Sequence, residues 1–124
     1  MDVQGVGWVA VTVQADALTS MRTFMADSLG LEPLVDSTDF ALLAAPDGTM
    51  VELATAEHTP AYGYNDAIAF GFSVDDVEAM SATITRAGCE LLGEIQRSED
   101  ATTSWRHFRA PDGRVYGLLS RTER

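Results

Sequence analysis

The sequence predicts an α+β fold built from two tandem βαβββ modules, and three repeated landmarks lead to this prediction. The tetrapeptide Ala-Pro-Asp-Gly at residues 45–48 recurs at residues 110–113. An apolar run at residues 8–13 recurs at residues 69–74, and a helix-like run that ends in glycine follows each copy. Three landmarks in the same order indicate an internal duplication, and that repeat has to be recognised before the elements are assigned.

The first module begins with a strand in which apolar residues alternate with small or polar ones. The alternating residues are Val9, Val11 and Val13. A helix follows, with Asp16 as its expected N-cap and Gly30 as its expected stop. The apolar stripe of this helix has helical spacing and consists of Leu18, Met21, Met25 and Leu29. Three strands complete the module at 33–36, 39–44 and 50–54, and the Pro-Asp-Gly turn precedes the last of them.

The second module repeats this order of elements. Its first strand carries Phe70, Phe72 and Val74 on one face. Asp75 or Asp76 is the expected cap of its helix, and Gly88 the expected stop. The apolar stripe of that helix consists of Val77, Met80, Ile84 and Ala87. Its remaining strands are predicted at residues 91–97, 104–109 and 115–120.

A chain of 124 residues has the length of one domain. We therefore expect residues 1–124 to form a single domain of two modules, at about 1–56 and 67–124, joined by a linker at 57–66. With the single cysteine Cys89, the chain cannot form an internal disulfide.

The charge balance is acidic, with 8 Lys and Arg against 19 Asp and Glu and a net charge of −11. This balance argues against nucleic acid as a partner, because phosphates require a basic surface. No apolar run approaches the roughly 20 residues of a membrane span, so we expect no membrane association. The first residues, Met-Asp-Val-Gln-Gly, lack the basic region of a signal peptide, which predicts a cytoplasmic protein.

The duplicated βαβββ pattern, with a Pro-Asp-Gly turn before each last strand, resembles the vicinal oxygen chelate superfamily. That superfamily includes glyoxalase I, the extradiol dioxygenases and the bleomycin-resistance proteins. The resemblance covers residues 8–120 and implies two curled mixed sheets that form a shared cleft. It also implies that a second chain completes the cleft in a homodimer, and that active members hold a divalent metal between the first and last strands of both modules.

The internal repeat places the four implied metal-ligand positions at Trp8, Ala69, Glu52 and Gly117. Only Glu52 has a side chain that can bind a metal ion. Since a catalytic zinc site needs about three protein ligands, we expect neither a metal nor another cofactor. The departure at three of four positions leaves enzyme activity uncertain and favours a protein without it. A non-standard metal site of Glu52 with His107 remains open.

Without a metal, the cleft is expected to be a mostly apolar pocket for a small molecule. The predicted ligand-binding residues are Trp8, Met50, Glu52, Tyr62, Tyr64, Trp105, His107, Val115, Gly117 and Leu119. The sequence predicts no catalytic residue, because no Ser or Cys has a His and a third group at a recognisable spacing.

Each of these residues also has a purely structural interpretation. Trp8 could fill a core hole, and Glu52 could pair with Arg106 or Arg109 at the rim. Tyr62 and Tyr64 could be exposed loop residues, and Trp105 could pack at a dimer interface. His58, in the predicted linker, is expected at the surface.

Three functional hypotheses follow from the sequence. The favoured one is a metal-free protein that binds a small aromatic compound, either neutral or cationic. Its role would be antibiotic resistance by sequestration of that compound, as in the bleomycin-resistance proteins. The alternative is a glyoxalase-like lyase or isomerase, either with a rebuilt metal site or independent of metal with Glu52 as the base. The third is a module without a small ligand, whose filled cleft serves assembly or contact with another protein.

Overall fold

The computed structural model describes residues 2–121, and it confirms the predicted α+β fold. Within these residues it contains two α-helices, α1 and α2, and eight strands, β1 to β8. The helices are α1 (Leu18–Thr23) and α2 (Val77–Arg86). The strands are β1 (Gly5–Thr12), β2 (Glu32–Asp36), β3 (Phe40–Ala44), β4 (Met50–Ala54), β5 (Ile68–Ser73), β6 (Glu90–Arg97), β7 (Thr103–Arg109) and β8 (Val115–Arg121). No helix in this range is long and apolar enough to cross a membrane.

The described chain divides into two compact units. The N-terminal unit is Trp8–Ala69, and the C-terminal unit comprises the chain up to Gly7 and from Phe70 onward. The division falls within β1 and β5, so each of these strands contributes residues to both units.

The N-terminal unit has the strand order β2-β3-β4-β1. Strands β1 and β4 are parallel, with Ala10 opposite Glu52, whereas β3 runs antiparallel to both of its neighbours. A core between α1 and this sheet consists of the buried residues Leu18, Ala41, Leu43 and Leu53. Met21 and Met25 pack against that core as the helical stripe predicted.

The first helical segment differs from the prediction at both ends. It starts with a 3-10 turn at Ala15–Ala17 that contains Asp16, so Asp16 is not the N-cap; that position belongs to Gln14. Beyond α1 the chain forms a π-helical turn at Phe24–Ser28. Because a π turn contains more residues than an α turn, it rotates Leu29 out of the stripe, and that side chain is 56% exposed.

The C-terminal unit has the strand order β5-β8-β7-β6. Strands β5 and β8 are parallel, with Gly71 opposite Gly117, the same register that joins Ala10 to Glu52 in the other unit. Asp76 caps α2 as predicted, since its carboxylate accepts a hydrogen bond from the Ala79 amide at 3.1 Å. The core against α2 consists of Val74, Val77, Met80, Phe108 and Leu118.

The outermost strand of each unit pairs irregularly with its neighbour. In β2 the register shifts between Pro33 and Val35. In β6 it shifts between Leu92 and Gln96, around Gly93, whose φ of +85° is unfavourable for other residues. Arg106 donates a hydrogen bond to the Gly93 carbonyl at 2.9 Å, so this carbonyl bonds a side chain of the neighbouring strand.

Candidate functional site

The sheet of the N-terminal unit has one face on the helix and one face that carries the candidate site. Leu53 and Leu43 belong to the core against α1. Side chains alternate along a strand, so Glu52 and its register partners Ala10 and Leu42 belong to the opposite face. Register alone therefore places Glu52 at the centre of that face.

Trp8 holds the carboxylate of Glu52. The indole Nε1–H donates a hydrogen bond to Oε1 of Glu52 at 3.1 Å. Tyr64 packs edge-on against the indole, with ring centroids 5.4 Å apart and planes at 75°. Trp8 is 9% exposed and Tyr64 is 5% exposed, so these rings support the carboxylate from the buried side.

His58 reaches the second oxygen of the same carboxylate. Its Nε2 lies 3.6 Å from Oε2 of Glu52, and its Nδ1 lies 4.0 Å from Oδ2 of Asp39. The imidazole also stacks on Phe40, with centroids 4.0 Å apart and planes at 6°. One face of the imidazole is therefore covered by an aromatic ring, and its two nitrogens point toward two different carboxylates.

A backbone turn after β4 positions His58. Thr55 donates hydrogen bonds from its amide and its hydroxyl to the Asp39 carbonyl, both at 3.0 Å. The amides of His58 and Thr59 then donate to the Thr55 carbonyl, each at 3.0 Å. Thr55 directly follows β4, and its two hydrogen bonds tie it to Asp39, which directly precedes Phe40 on β3. The turn that begins at Thr55 therefore places His58 over the sheet face beside Phe40.

The pKa of Glu52 reflects this enclosure. Burial raises the pKa of the Glu52 carboxyl above its ordinary value, while the hydrogen bond from Trp8 and the neighbouring His58 act in the opposite direction. Burial likewise raises the pKa of Tyr64, and the charge of Glu52 adds to that effect. The charged form of Glu52 is thus only partly compensated by its protein neighbours.

These residues do not fit a divalent metal. The imidazole of His58 lies between Glu52 and Asp39 with one nitrogen toward each, so a shared ion would not meet all three groups on their lone-pair sides. Within residues 2–121 no group of three or more His, Cys, Asp or Glu side chains is arranged to hold a metal ion. Trp8 uses the hydrogen of its indole nitrogen for Glu52 and offers no ligand atom.

The C-terminal unit has a corresponding face opposite its helix. His107 lies opposite Gly117, and Trp105 lies opposite Leu119, so alternation places all four on one face together with Val115. Val115 and Leu119 are 1% and 4% exposed. Burial lowers the pKa of His107 to about 4, so its imidazole is neutral at physiological pH.

The structure distributes the remaining predicted residues as follows. Met50 lies opposite Trp8 in the β1–β4 register. Tyr62 is 38% exposed on the loop that also carries the buried Tyr64. The Nε of Arg109 lies 3.5 Å from Oε1 of Glu90, and the Nη1 of Arg109 donates a hydrogen bond to the Gly113 carbonyl.

The expectation that His58 lies at the surface is met only in part, because it missed the contact of this side chain with Glu52. Its side chain is 34% exposed and lies against the most enclosed carboxylate of the N-terminal unit. Asp39, the second carboxylate beside His58, was also missed.

The fold and the duplicated register define a two-module α+β protein of the glyoxalase type. Residues 5–115 match the family described as the Glyoxalase/Bleomycin resistance protein/Dioxygenase superfamily. The chain belongs to this superfamily. A comparison with curated proteins finds no match.

Solved structures of this fold come from several bacteria. A glyoxalase/bleomycin resistance protein/dioxygenase superfamily member from Vibrio splendidus 12B01 is similar with a TM-score of 0.63 and 22% identity over 93% of this chain and 97% of that one. Methylmalonyl-CoA epimerase from Mycobacterium tuberculosis is similar with a TM-score of 0.70 and 18% identity, over 98% of this chain and 90% of that one. The Mn(II)-bound glyoxalase from Novosphingobium aromaticivorans is similar with a TM-score of 0.71 and 22% identity, over 98% of this chain and 42% of that one. At these identities the likeness shows the shared fold.

Proposed function

We propose that this protein binds a small organic cation with an aromatic group, without a metal, and that Glu52 is the recognition residue. The observation that carries this proposal is a carboxylate with a raised pKa, held by Trp8 and left 14% exposed at its side chain. A positive ligand group would supply the compensation that the protein provides only in part.

The surroundings of the carboxylate favour an aromatic cation over a simple one. Trp8 and Tyr64 form its buried wall, and Phe40 with its stacked His58 forms another. Aromatic faces attract organic cations and also provide apolar contact area. Trp8 contributes mainly by holding Glu52, because so little of the indole is accessible.

Sequestration follows as the proposed biological role, in the manner of the bleomycin-resistance proteins that the sequence resembles. A protein of this kind lowers the free concentration of a toxic compound by mass action and needs no catalytic group. The net charge of −11 would raise the local concentration of a cation. We further propose that the protein works as a cytoplasmic homodimer.

The experiment is a calorimetric titration at pH 8 with 1-methylquinolinium, a permanent aromatic cation, and with quinoline, its neutral counterpart. We expect the wild-type protein to prefer the cation, and E52Q to bind it at least about tenfold more weakly because a charge-assisted contact is lost. E57Q is the matched control, since Glu57 is an exposed carboxylate in the same segment. Equal affinities for both compounds, or for wild type and E52Q, would contradict the proposal.

The second candidate is a metal-independent lyase or isomerase of the glyoxalase type with Glu52 as general base. The raised pKa of Glu52 favours it, because a carboxylate of increased basicity is a better proton acceptor. Deuterium uptake from D₂O at the α-carbon of thioesters and thiohemiacetals, followed by NMR in wild type and E52Q, distinguishes the two candidates. Exchange that depends on Glu52 would support the enzyme.

A further inference from the structure

An exposed apolar surface lies at the outer edge of the N-terminal unit. Its residues are Phe24 in the π-helical turn, Leu29 directly after that turn, and Leu34 on β2. They are 47%, 56% and 48% exposed. We call these three residues the edge surface. Large apolar side chains that are exposed together mark places where a protein binds another molecule.

Two contacts hold the turn alongside the strand. The Leu31 amide donates a hydrogen bond to the Met25 carbonyl at 3.0 Å, and the Leu31 side chain packs against the core beneath α1. At the far end of the same segment, a guanidinium nitrogen of Arg22 lies 2.7 Å from a carboxylate oxygen of Asp36. Because the segment is closed at both ends, the edge surface is one continuous feature of the N-terminal unit.

The fold does not require an aromatic side chain on this surface. Met25 packs against the core beneath α1, and Ile84 packs in the same way beneath α2 in the second copy of the repeat. The residues directly before them are Phe24 and Thr83, and both are exposed. Since the second copy forms its helix with a threonine there, Phe24 is not explained by the folding of the module.

The charges around the edge surface favour a basic partner. The N-terminal unit contains nine of the 19 acidic residues of the chain but only one of its 8 basic residues. That basic residue, Arg22, is already paired with Asp36. Asp27 and Glu32 are exposed in the same segment. A second copy of this chain would place the same acidic surface opposite itself in a two-fold dimer, and like charges would oppose that contact.

We propose that the edge surface docks a basic amphipathic helix of another protein. The apolar side chains of that helix would pack on the edge surface, and its Arg or Lys side chains would lie near Asp27 and Glu32. A helix suits this surface better than an added strand, because the register shift beside Pro33 interrupts the pairing pattern of β2. The inference does not rest on the proposed function, since Glu52 lies on β4, two strands away in the sheet.

The test is an NMR titration of the isotope-labelled protein with a synthetic helix of about four turns, made of Leu on one face and Arg on the other. A second peptide with Glu in place of Arg is the control ligand. We expect the Arg peptide to shift amide signals of residues 22–36 and the Glu peptide to shift none. L29S should weaken binding at least about fivefold, and F24S/L29S at least about tenfold, because apolar contacts are lost. I68S is the matched control, since Ile68 is 55% exposed on β5, and should bind as wild type.

The contrary outcomes are equally specific. Shifts spread over the whole acidic surface, or equal losses of affinity in L29S and I68S, would show a non-specific attraction and overturn the proposal. Sedimentation of the protein alone tests the other occupant of the surface. A dimer that F24S/L29S converts into monomers would assign the edge surface to a second copy of this chain and overturn the proposal, whereas an unchanged oligomeric state supports it.

Discussion

The indole of Trp8 donates its single hydrogen bond to Glu52, so the first strand of the N-terminal unit holds a carboxylate on the last strand of that unit. The two residues lie on one face because β1 and β4 are parallel and Ala10, two residues after Trp8, is the register partner of Glu52. The hydrogen bond between Trp8 and Glu52 can therefore form only when β1 and β4 pair in this register.

Removing this hydrogen bond should destabilise the fold. We expect W8F to lower the free energy of unfolding at pH 7 by about 2 kcal/mol, because Glu52 keeps its buried charge and loses a donor. Urea unfolding of wild type, W8F, E52Q and the double variant completes the cycle. The coupling should be about 1 kcal/mol in favour of the native pair. Strictly additive effects would show that the indole acts only by packing.

The decrease in the free energy of unfolding at acidic pH should depend in part on His107. Burial lowers its pKa from 6.5 to about 4, so the unfolded chain binds a proton in this interval and the folded chain does not. As the pH falls from 6.5 toward 4, the unfolded chain gains a proton at His107 that the folded chain does not bind, so the free energy of unfolding decreases. The total decrease due to His107 is about 3 kcal/mol, and none of it is present above pH 6.5. Unfolding free energies of H107Q should fall less steeply over this interval than those of wild type.

The parallel pair in the C-terminal unit should not tolerate a methyl group at Gly71. A Cβ there would lie 2.9 Å from the carbonyl oxygen of Gly117, and backbone atoms of a central strand cannot move aside. We expect G71A to cost about 3 kcal/mol in urea unfolding. G30A is the comparison, because Gly30 has a φ of +77° and open space around it, and should cost about 1 kcal/mol. A smaller effect for G71A than for G30A would contradict the register described.

The two helix starts offer a matched pair of aspartates. Asp76 accepts a hydrogen bond from the Ala79 amide, so D76A should lower stability by about 1 kcal/mol. Asp16 lies inside a 3-10 turn and makes no capping bond, so D16A should change stability by less than about 0.5 kcal/mol. Thermal unfolding of both variants checks the order, which would be reversed if Asp16 capped the first helix in solution.

The sequence predicted most of the fold because the duplication constrained it twice. Both Pro-Asp-Gly turns, all eight strands and the capping by Asp76 are confirmed. The first helix was predicted less well, because periodicity assumes a constant number of residues per turn. The π turn at Phe24–Ser28 breaks that assumption, and Leu29 leaves the apolar stripe as a result.

The candidate site was predicted less completely than the fold. The resemblance and the internal repeat assigned Trp8 and Glu52 to one site, and the hydrogen bond from Trp8 to Glu52 brings these two residues together. His58 was missed because its position depends on a turn whose hydrogen bonds connect Thr55 to Asp39, sixteen residues earlier in the chain. Contacts between segments that are distant in sequence leave no local pattern, so the second neighbour of the carboxylate became visible only in three dimensions.

The irregular outer strands have a consequence for how this acidic protein behaves when concentrated. Pro33 has no amide hydrogen to offer, and the shift beside it interrupts the row of donors and acceptors along β2. On β6 the register shifts around Gly93, whose φ of +85° departs from a regular strand. Another molecule could therefore match only a few consecutive peptide groups on either rim, which protects the protein against edge-to-edge fibre growth.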